Sequence, residues 1–476
     1  MTMRQFPEQF IFGAATAAYQ AEGAVGEGGR GPCYWDEFLH RPESRFNGDV
    51  ASDFYHQYPV DLKLSNEYGL NGIRISIAWS RVIPDGKGEV SEEGLAFYDR
   101  LIDECIAQGI EPFVTLHHFD TPLPLFKDGD WLNRDNIDHF VRFAEVCFDR
   151  FGDRVKKWVS INEPWSVVAG QYIIGHFPPN IKYDVAKAIQ AMHHMMIAHA
   201  RVVEAYKERN LNGEVGIIHI LESKYPITDR PEDVEAARVE DTLANAFMLD
   251  ACFKGRYSEE TLRVINHLMA LQGESLRVEP DDEALLERAS RLNDFLGVNY
   301  YASHFIAHHD GESGIHHNGT GEKGTSVFGL KGIGKRVTNP DVPTTDWDWP
   351  IYPKGLTDML TRVHREYPNY KTAYVTENGM GYKDDFQDGF IDDTPRIDYI
   401  AQHLDAILDA IEAGVDVQGY FLWSLMDVLS WTNGFNKRYG LFYVDFETQE
   451  RYAKKSARWM REVANRRQVL QPEDVK

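Results

Sequence analysis

Eight short apolar runs separated by amphipathic segments predict an α/β chain whose strands run parallel and close into a single-domain (β/α)8, or TIM, barrel. Two further observations agree. Polar residues gather where those runs end, which is where barrel enzymes hold their chemistry, and no linker divides the 476 residues. One domain over 1–476 is therefore expected, with long loop insertions at the C-terminal face of the barrel.

The strands are expected near Ile11–Ala17, Gly72–Trp79, Pro112–His118, Trp158–Glu163, Val215–Leu221, Phe295–Tyr301, Ala373–Glu377 and Gly419–Leu425. Continuous apolar stretches of this length suit strands covered by helices on one side and a barrel core on the other. Between them, Tyr98–Ala107 and Ile397–Ala413 place apolar residues three and four apart with charges opposite, the pattern of a helix with one face on the barrel. His308–Pro353 is rich in glycine, histidine and charge without a sustained period, and reads as a partly ordered loop over the pocket. Asp384–Asp393 reads as a solvated acidic loop and Gln471–Lys476 as a frayed tail.

A formal charge of −24 excludes nucleic acid and anionic membrane surfaces as partners, since both demand cationic patches. Met1–Phe10 lacks the apolar core of a signal peptide and no apolar run approaches a membrane span, so a cytoplasmic protein is expected. Cys33, Cys105, Cys147 and Cys252 are scattered singly and read as reduced, buried thiols. His308, His309, His316 and His317 lack the second shell a metal needs, and no glycine-rich phosphate loop is present. Neither metal nor cofactor is expected.

Two runs carry chemistry. Tyr374-Val375-Thr376-Glu377-Asn378-Gly379 is an apolar strand ending in a carboxylate and then a glycine; Trp158-Val159-Ser160-Ile161-Asn162-Glu163-Pro164 ends in a carboxylate before a proline that cannot continue the ladder. On matching strand tips, Glu163 and Glu377 are expected to face one pocket. Glycoside hydrolysis needs such a pair, one carboxylate stabilising the oxocarbenium-like centre and one acid protonating the leaving oxygen.

These two motifs, with Phe10–Gly23, Arg74–Arg81 and Trp423–Asp427, resemble the family 1 glycoside hydrolases, the β-glucosidase family, and the resemblance spans essentially the whole chain. It implies a retaining hydrolase in which Glu377 is the nucleophile and Glu163 the acid/base. It also implies that Gln20 and His118 hold the 3- and 4-hydroxyls and Asn162 the 2-hydroxyl, with Asn299 among the substrate-binding residues. Trp423 and Trp431 would be the platform and edge of the sugar site. Arg74 is expected to pair with Glu377 and Tyr301 to hydrogen-bond the same carboxylate, leaving Glu163, in a less cationic setting, as the protonated acid. His117 reads as structural.

One departure from ordinary β-glucosidases is informative. They resemble Trp-Ser-Leu-x-Asp-Asn-Phe-Glu-Trp after the eighth strand, whereas Ser430 stands here at the glutamate's position. A serine donates to a phosphate that a carboxylate would repel. By resemblance to the phospho-glycosidases of the family, Ser430, Lys437 and Tyr439 form a phosphate site while Arg438 points elsewhere. Trp431 in Ser424–Asn433 resembles the 6-phospho-β-galactosidase form. The substrate is accordingly expected to be a phosphorylated disaccharide, such as lactose 6-phosphate, or an aryl glycoside. A 6-phospho-β-glucosidase or dual enzyme is the alternative, and a catalytically inactive sugar-binding protein the alternative of another class; no oligomeric state is implied.

Overall fold

The computed structural model describes residues 4–474. Its centre is a closed barrel of eight parallel strands: β1 (Ile11–Ala15), β2 (Gly72–Ser76), β3 (Glu111–His117), β4 (Lys157–Asn162), β5 (Glu214–Ile220), β6 (Phe295–Asn299), β7 (Thr372–Asn378) and β8 (Val417–Trp423). Neighbours follow chain order around the ring, and β1 closes it by pairing with both β2 and β8. The eight strands fall where the apolar runs stand. Inside the barrel Phe113, Val159, Ile218, Phe295, Tyr374 and Phe421 pack as one cluster, so the interior is a filled core that leaves function to the rim.

The outer helices form for local reasons. Glu92–Ala107 starts where the Ser91 hydroxyl accepts from the Gly94 N–H at 3.1 Å, with Glu92 and Glu93 in the first turn, and it buries Leu95, Tyr98, Leu101 and Cys105. Thr394–Glu412 begins with Pro395 in its first turn and buries Ile397, Ile400, Leu404 and Ile407. All four cysteines are buried and free. No helix among the described residues is long and apolar enough to cross a membrane.

Several expectations are corrected. Seven predicted strands run past their true ends: β1 and β2 stop before the short helices Ala18–Ala21 and Trp79–Val82, His118, Glu163 and Leu221 follow their strands, and Tyr301 and Leu425 lie beyond Asn299 and Trp423. Gln20 therefore rides on a helical turn, and Trp79 packs in the core, stacked on Phe143 with ring centroids 5.5 Å apart. The stretch 308–353 is more than a loop. Gly314–His316, Val327–Leu330 and Gly334–Val337 join Lys224–Pro226 and His304–Ala307 in a five-stranded sheet. Strands of three or four residues are too short to show a period in sequence. Asp384 and Asp393 are not solvated, because Arg396 and Lys454, both buried, pair with Asp384, and Arg396 also pairs with Asp393. Of the tail, Pro472–Asp474 forms a 3-10 turn, and Val475 and Lys476 lie outside the described residues.

Candidate active site

The two glutamate-bearing strands share a distortion. The β4–β5 register shifts between Val159 and Asn162, and the β6–β7 register shifts between Val375 and Glu377. Such irregularities re-aim side chains that a regular ladder would send to the core or the helices. Glu163 itself has φ +48°, a left-handed backbone followed by the fixed φ of Pro164. Gly379 is required for a plainer reason: a Cβ there would lie 2.2 Å from the Trp423 carbonyl oxygen.

Both carboxyls open onto a cavity of about 300 Å³ that is also lined by Gln20, His118, Asn162, Tyr301, Trp423, Ser430, Trp431, Lys437 and Tyr439. Arg74 is fully buried behind them. Its Nη2 donates to Glu377 Oε1 at 2.5 Å and to Asn162 Oδ1 at 3.0 Å, while the Tyr301 hydroxyl donates to Glu377 Oε2 at 2.5 Å. Asn299 Nδ2 donates to Asn162 Oδ1 at 3.1 Å and to Glu163 Oε1 at 2.6 Å. One hydrogen-bonded chain, Glu377–Arg74–Asn162–Asn299–Glu163, thus joins the two carboxyls. Asn299, expected to touch substrate, has spent both amide hydrogens inside this chain and does not line the cavity.

The two glutamates differ in setting. Glu163 accepts from Asn299 and from the Ser166 hydroxyl at 2.6 Å, yet burial and then the charge of Glu377 push its pKa up to about 8. Glu377 is the direct ion-pair partner of Arg74. A protonated acid beside a carboxylate fixed by a cation is the division of labour that acid-assisted displacement needs. His118 is held neutral, because burial, Arg74 and His117 drive its pKa well down. His117 lies outside the cavity, 3.0 Å from the Thr121 hydroxyl and edge-on to Trp131.

The polar atoms of the residues lining the cavity include an orphan. Gln20 Nε2 donates to the Leu429 carbonyl at 2.6 Å, whereas its Oε1 is buried without a partner. Trp431 stacks on Trp35 at 4.7 Å and on Tyr19 at 5.8 Å, an aromatic floor beside His118.

The opposite end holds a buried lysine. Lys437 is 2% exposed, and its Nζ lies 3.8 Å from the Trp349 ring centroid, 4.9 Å from that of Trp347 and 5.5 Å from that of Tyr439. It has no carboxylate partner among the described residues, and burial drives its pKa well down. Its stem crosses Gly381, where a Cβ would come within 2.5 Å of the Lys437 Cε. Ser430 and Tyr439 flank the same end, and the Tyr439 hydroxyl has no hydrogen-bond partner among the described residues. Arg438 turns away, donating to Asp427 Oδ2 at 2.6 Å and to the Val444 carbonyl.

A model of glycosyl hydrolase family 1 matches residues 2–469. The chain belongs to that family. Among relatives of this family 1 enzyme, it is 67% identical over 473 residues to the 6-phospho-beta-galactosidase of Clostridium acetobutylicum, covering 99% of this chain and all of the relative. It is 54% identical to the 6-phospho-beta-galactosidase of Leptotrichia buccalis over 98% of this chain and all of that one. Among solved structures, the family 1 β-glucosidase of Thermotoga maritima superposes with a TM-score of 0.87 at 34% identity, covering 99% of this chain and all of that one. The family 1 β-glucosidase of Exiguobacterium antarcticum B7 does so at 0.87 and 36% identity, covering 97% and 98%.

Other residues of this family 1 site escaped the sequence reading. Trp347 and Trp349 form the cage around Lys437, and Trp347 is itself fixed by donating to Asn433 Oδ1 at 3.0 Å. The Trp347-Asp348-Trp349 repeat was the available signal, but only the folded insertion shows which way the rings turn. Ser166, His176, Glu222, His304, His317 and Arg336 also line the cavity. The insertion is tied down beside it by the contact between His317 Nε2 and the Thr432 hydroxyl at 2.8 Å.

Proposed function

We propose that this glycosyl hydrolase is a retaining 6-phospho-β-galactosidase, releasing D-galactose 6-phosphate from substrates such as lactose 6-phosphate. The observation that carries the reading is Lys437: a buried amine in the cavity wall, caged by three aromatic rings and lacking a carboxylate partner among the described residues, so that burial holds its pKa down until an anion binds. A cation is expensive to bury unpaired, so an anionic group of the substrate is its natural partner, above all in a chain of net charge −24. Ser430 and Tyr439 supply neutral donors to the same phosphate, a serine standing at 430 where a carboxylate would repel it. The two 6-phospho-beta-galactosidase relatives support the same substrate class.

In the mechanism, Glu377, held by Arg74 and Tyr301, attacks the anomeric carbon while Glu163 protonates the departing oxygen. The resulting ester removes the charge of Glu377. Since that charge helps raise the Glu163 pKa, its loss lowers the pKa and readies Glu163 to take a proton from water in the second step. Gln20 Oε1 accepts from a ring hydroxyl, His118 and Asn162 contact others, and Trp423 and Trp431 cover the apolar face. The axial 4-hydroxyl of galactose leaves a C–H face suited to Trp431, which favours galactosides over glucosides.

The test compares kcat/KM for p-nitrophenyl β-galactoside 6-phosphate, its gluco epimer and both unphosphorylated sugars. A preference for the phosphorylated galactoside is expected. Equal rates with and without phosphate would refute the phosphate assignment; a gluco rate at or above the galacto rate would refute the epimer preference. Turnover of none of the four would favour a sugar-binding protein.

A further inference from the structure

Gln20 faces two ways. Its Nε2 donates to the Leu429 carbonyl at 2.6 Å, and the Leu429 N–H donates back to the Gln20 carbonyl at 3.0 Å, so the two residues exchange a pair of bonds as neighbouring strands do. A carbonyl only accepts, which fixes the amide: its nitrogen must face Leu429, and Oε1 is left buried and unpartnered on a residue that lines the cavity.

Ser430 follows Leu429 directly. Its loop closes on itself, the Ser430 N–H donating to the Gly434 carbonyl and the Gly434 N–H to the Ser430 carbonyl, each at 2.8 Å. Asn433 Nδ2 donates to Ser430 Oγ at 3.4 Å, which leaves the hydroxyl hydrogen for an acceptor in the cavity. The insertion holds the far side of this loop, through His317 on Thr432 and Trp347 on Asn433. On the barrel side Leu429 is paired with Gln20, and Trp431 stacks on Tyr19, the residue before it.

The turn that carries Gln20 is itself preset. The Ala18 N–H donates to the Ser76 hydroxyl at the end of β2, at 2.7 Å. Glu22, just past the turn, accepts from Arg81 Nε and Nη2 at 3.1 and 3.0 Å and from the Tyr98 hydroxyl at 2.7 Å, and all three side chains are buried. Neither Glu22 nor Arg81 lines the cavity; their ion pair holds the Gln20 turn against the helix that follows β2. An amide that accepts a hydrogen bond at its oxygen becomes a better donor at its nitrogen. A sugar hydroxyl bound at Oε1 therefore tightens the hold of Nε2 on Leu429, one residue from Ser430.

We propose that Gln20 is a positioning residue for the phosphate site as well as a sugar ligand: its amide clamps Leu429, sets Ser430, and so ties phosphate recognition to a ring hydroxyl in place. This rests on reading Ser430 as a phosphate ligand.

The test is a ratio, kcat/KM for 2,4-dinitrophenyl β-galactoside 6-phosphate divided by kcat/KM for the unphosphorylated glycoside. Each pair is measured on one preparation of wild type, Gln20→Met, Ser430→Ala and the double variant. Both substrates present the same ring hydroxyls, so loss of the direct sugar contact cancels in the ratio, as does partial misfolding; loss of the clamp does not. Gln20→Met is expected to lower the ratio about fivefold through KM of the phosphorylated substrate, the loss of one hydrogen bond at Ser430. A fall of about threefold or more that shrinks below about twofold in the Ser430→Ala background supports the clamp. A smaller fall, or one that survives at about twofold or more beside Ser430→Ala, overturns it. A wild-type ratio near unity would refute the phosphate assignment and the clamp with it, whereas a high wild-type ratio untouched by Gln20→Met would refute the clamp alone.

Discussion

The Nζ of Lys437 sits 3.8 Å from the centre of the Trp349 ring, with no acidic side chain among the described residues paired to it. The ring face offers it some attraction, but far less than the water it has given up, so the pocket is poised to take an anion.

Lys437→Ala should therefore raise KM for phosphorylated substrates about 10- to 150-fold, the equivalent of about 1.5–3 kcal/mol for a charged hydrogen bond, and change hydrolysis of an unphosphorylated aryl galactoside little. Initial rates on the two substrates decide it. An equal effect on both would mean that Lys437 serves the fold and not the phosphate.

Ser430→Glu should move preference the other way. A carboxylate at this position repels a phosphate dianion in a partly dehydrated pocket and accepts from free hydroxyls. The expected result is a fall in kcat/KM for the phosphorylated galactoside with a rise for the unphosphorylated one; a parallel loss would count against the assignment.

For the catalytic pair, Glu377→Ala should lose nearly all turnover and recover part of it with azide, which occupies the vacated space. Glu163→Ala should largely spare 2,4-dinitrophenyl glycosides, whose leaving group needs no proton, while failing on lactose 6-phosphate. Rescue of Glu163→Ala alone by azide would exchange the two roles.

The Glu163 pKa, pushed up to about 8 by burial and then by Glu377, has two consequences. With lactose 6-phosphate, kcat/KM should fall as pH rises through about 8, where the acid loses its proton. Stability follows the same proton: between the ordinary value of 4.5 and about 8 the folded state holds a proton that the unfolded chain has released, so rising pH erodes stability across that window and not above it. Glu163→Gln, which has no such proton, should match the wild-type Tm near pH 4 and exceed it by roughly 1–3 °C at pH 8. Calorimetry at the two pH values checks this, and a gain largest at pH 4 would contradict the raised pKa.

What the sequence determined by itself was the barrel and its two carboxylates. The eight strands carry continuous apolar runs because both their faces are buried, and Glu163 and Glu377 are conspicuous because each terminates such a run. Strand ends were harder to see: Ala18–Ala21 and Trp79–Val82 follow directly on apolar runs and become helices where the chain turns at the rim. Burial of Asp384 and Asp393 was invisible, because their stabilising partners Arg396 and Lys454 are brought to them by separate elements. The same holds for the linkage of Glu377 to Glu163 through Arg74, Asn162 and Asn299, for the cage of Trp347 and Trp349 around Lys437, and for the pairing of Gln20 with Leu429. Each depends on which side chains from distant segments end within a few ångströms of one another, and only closure of the barrel and folding of the 308–353 sheet against its rim decide that.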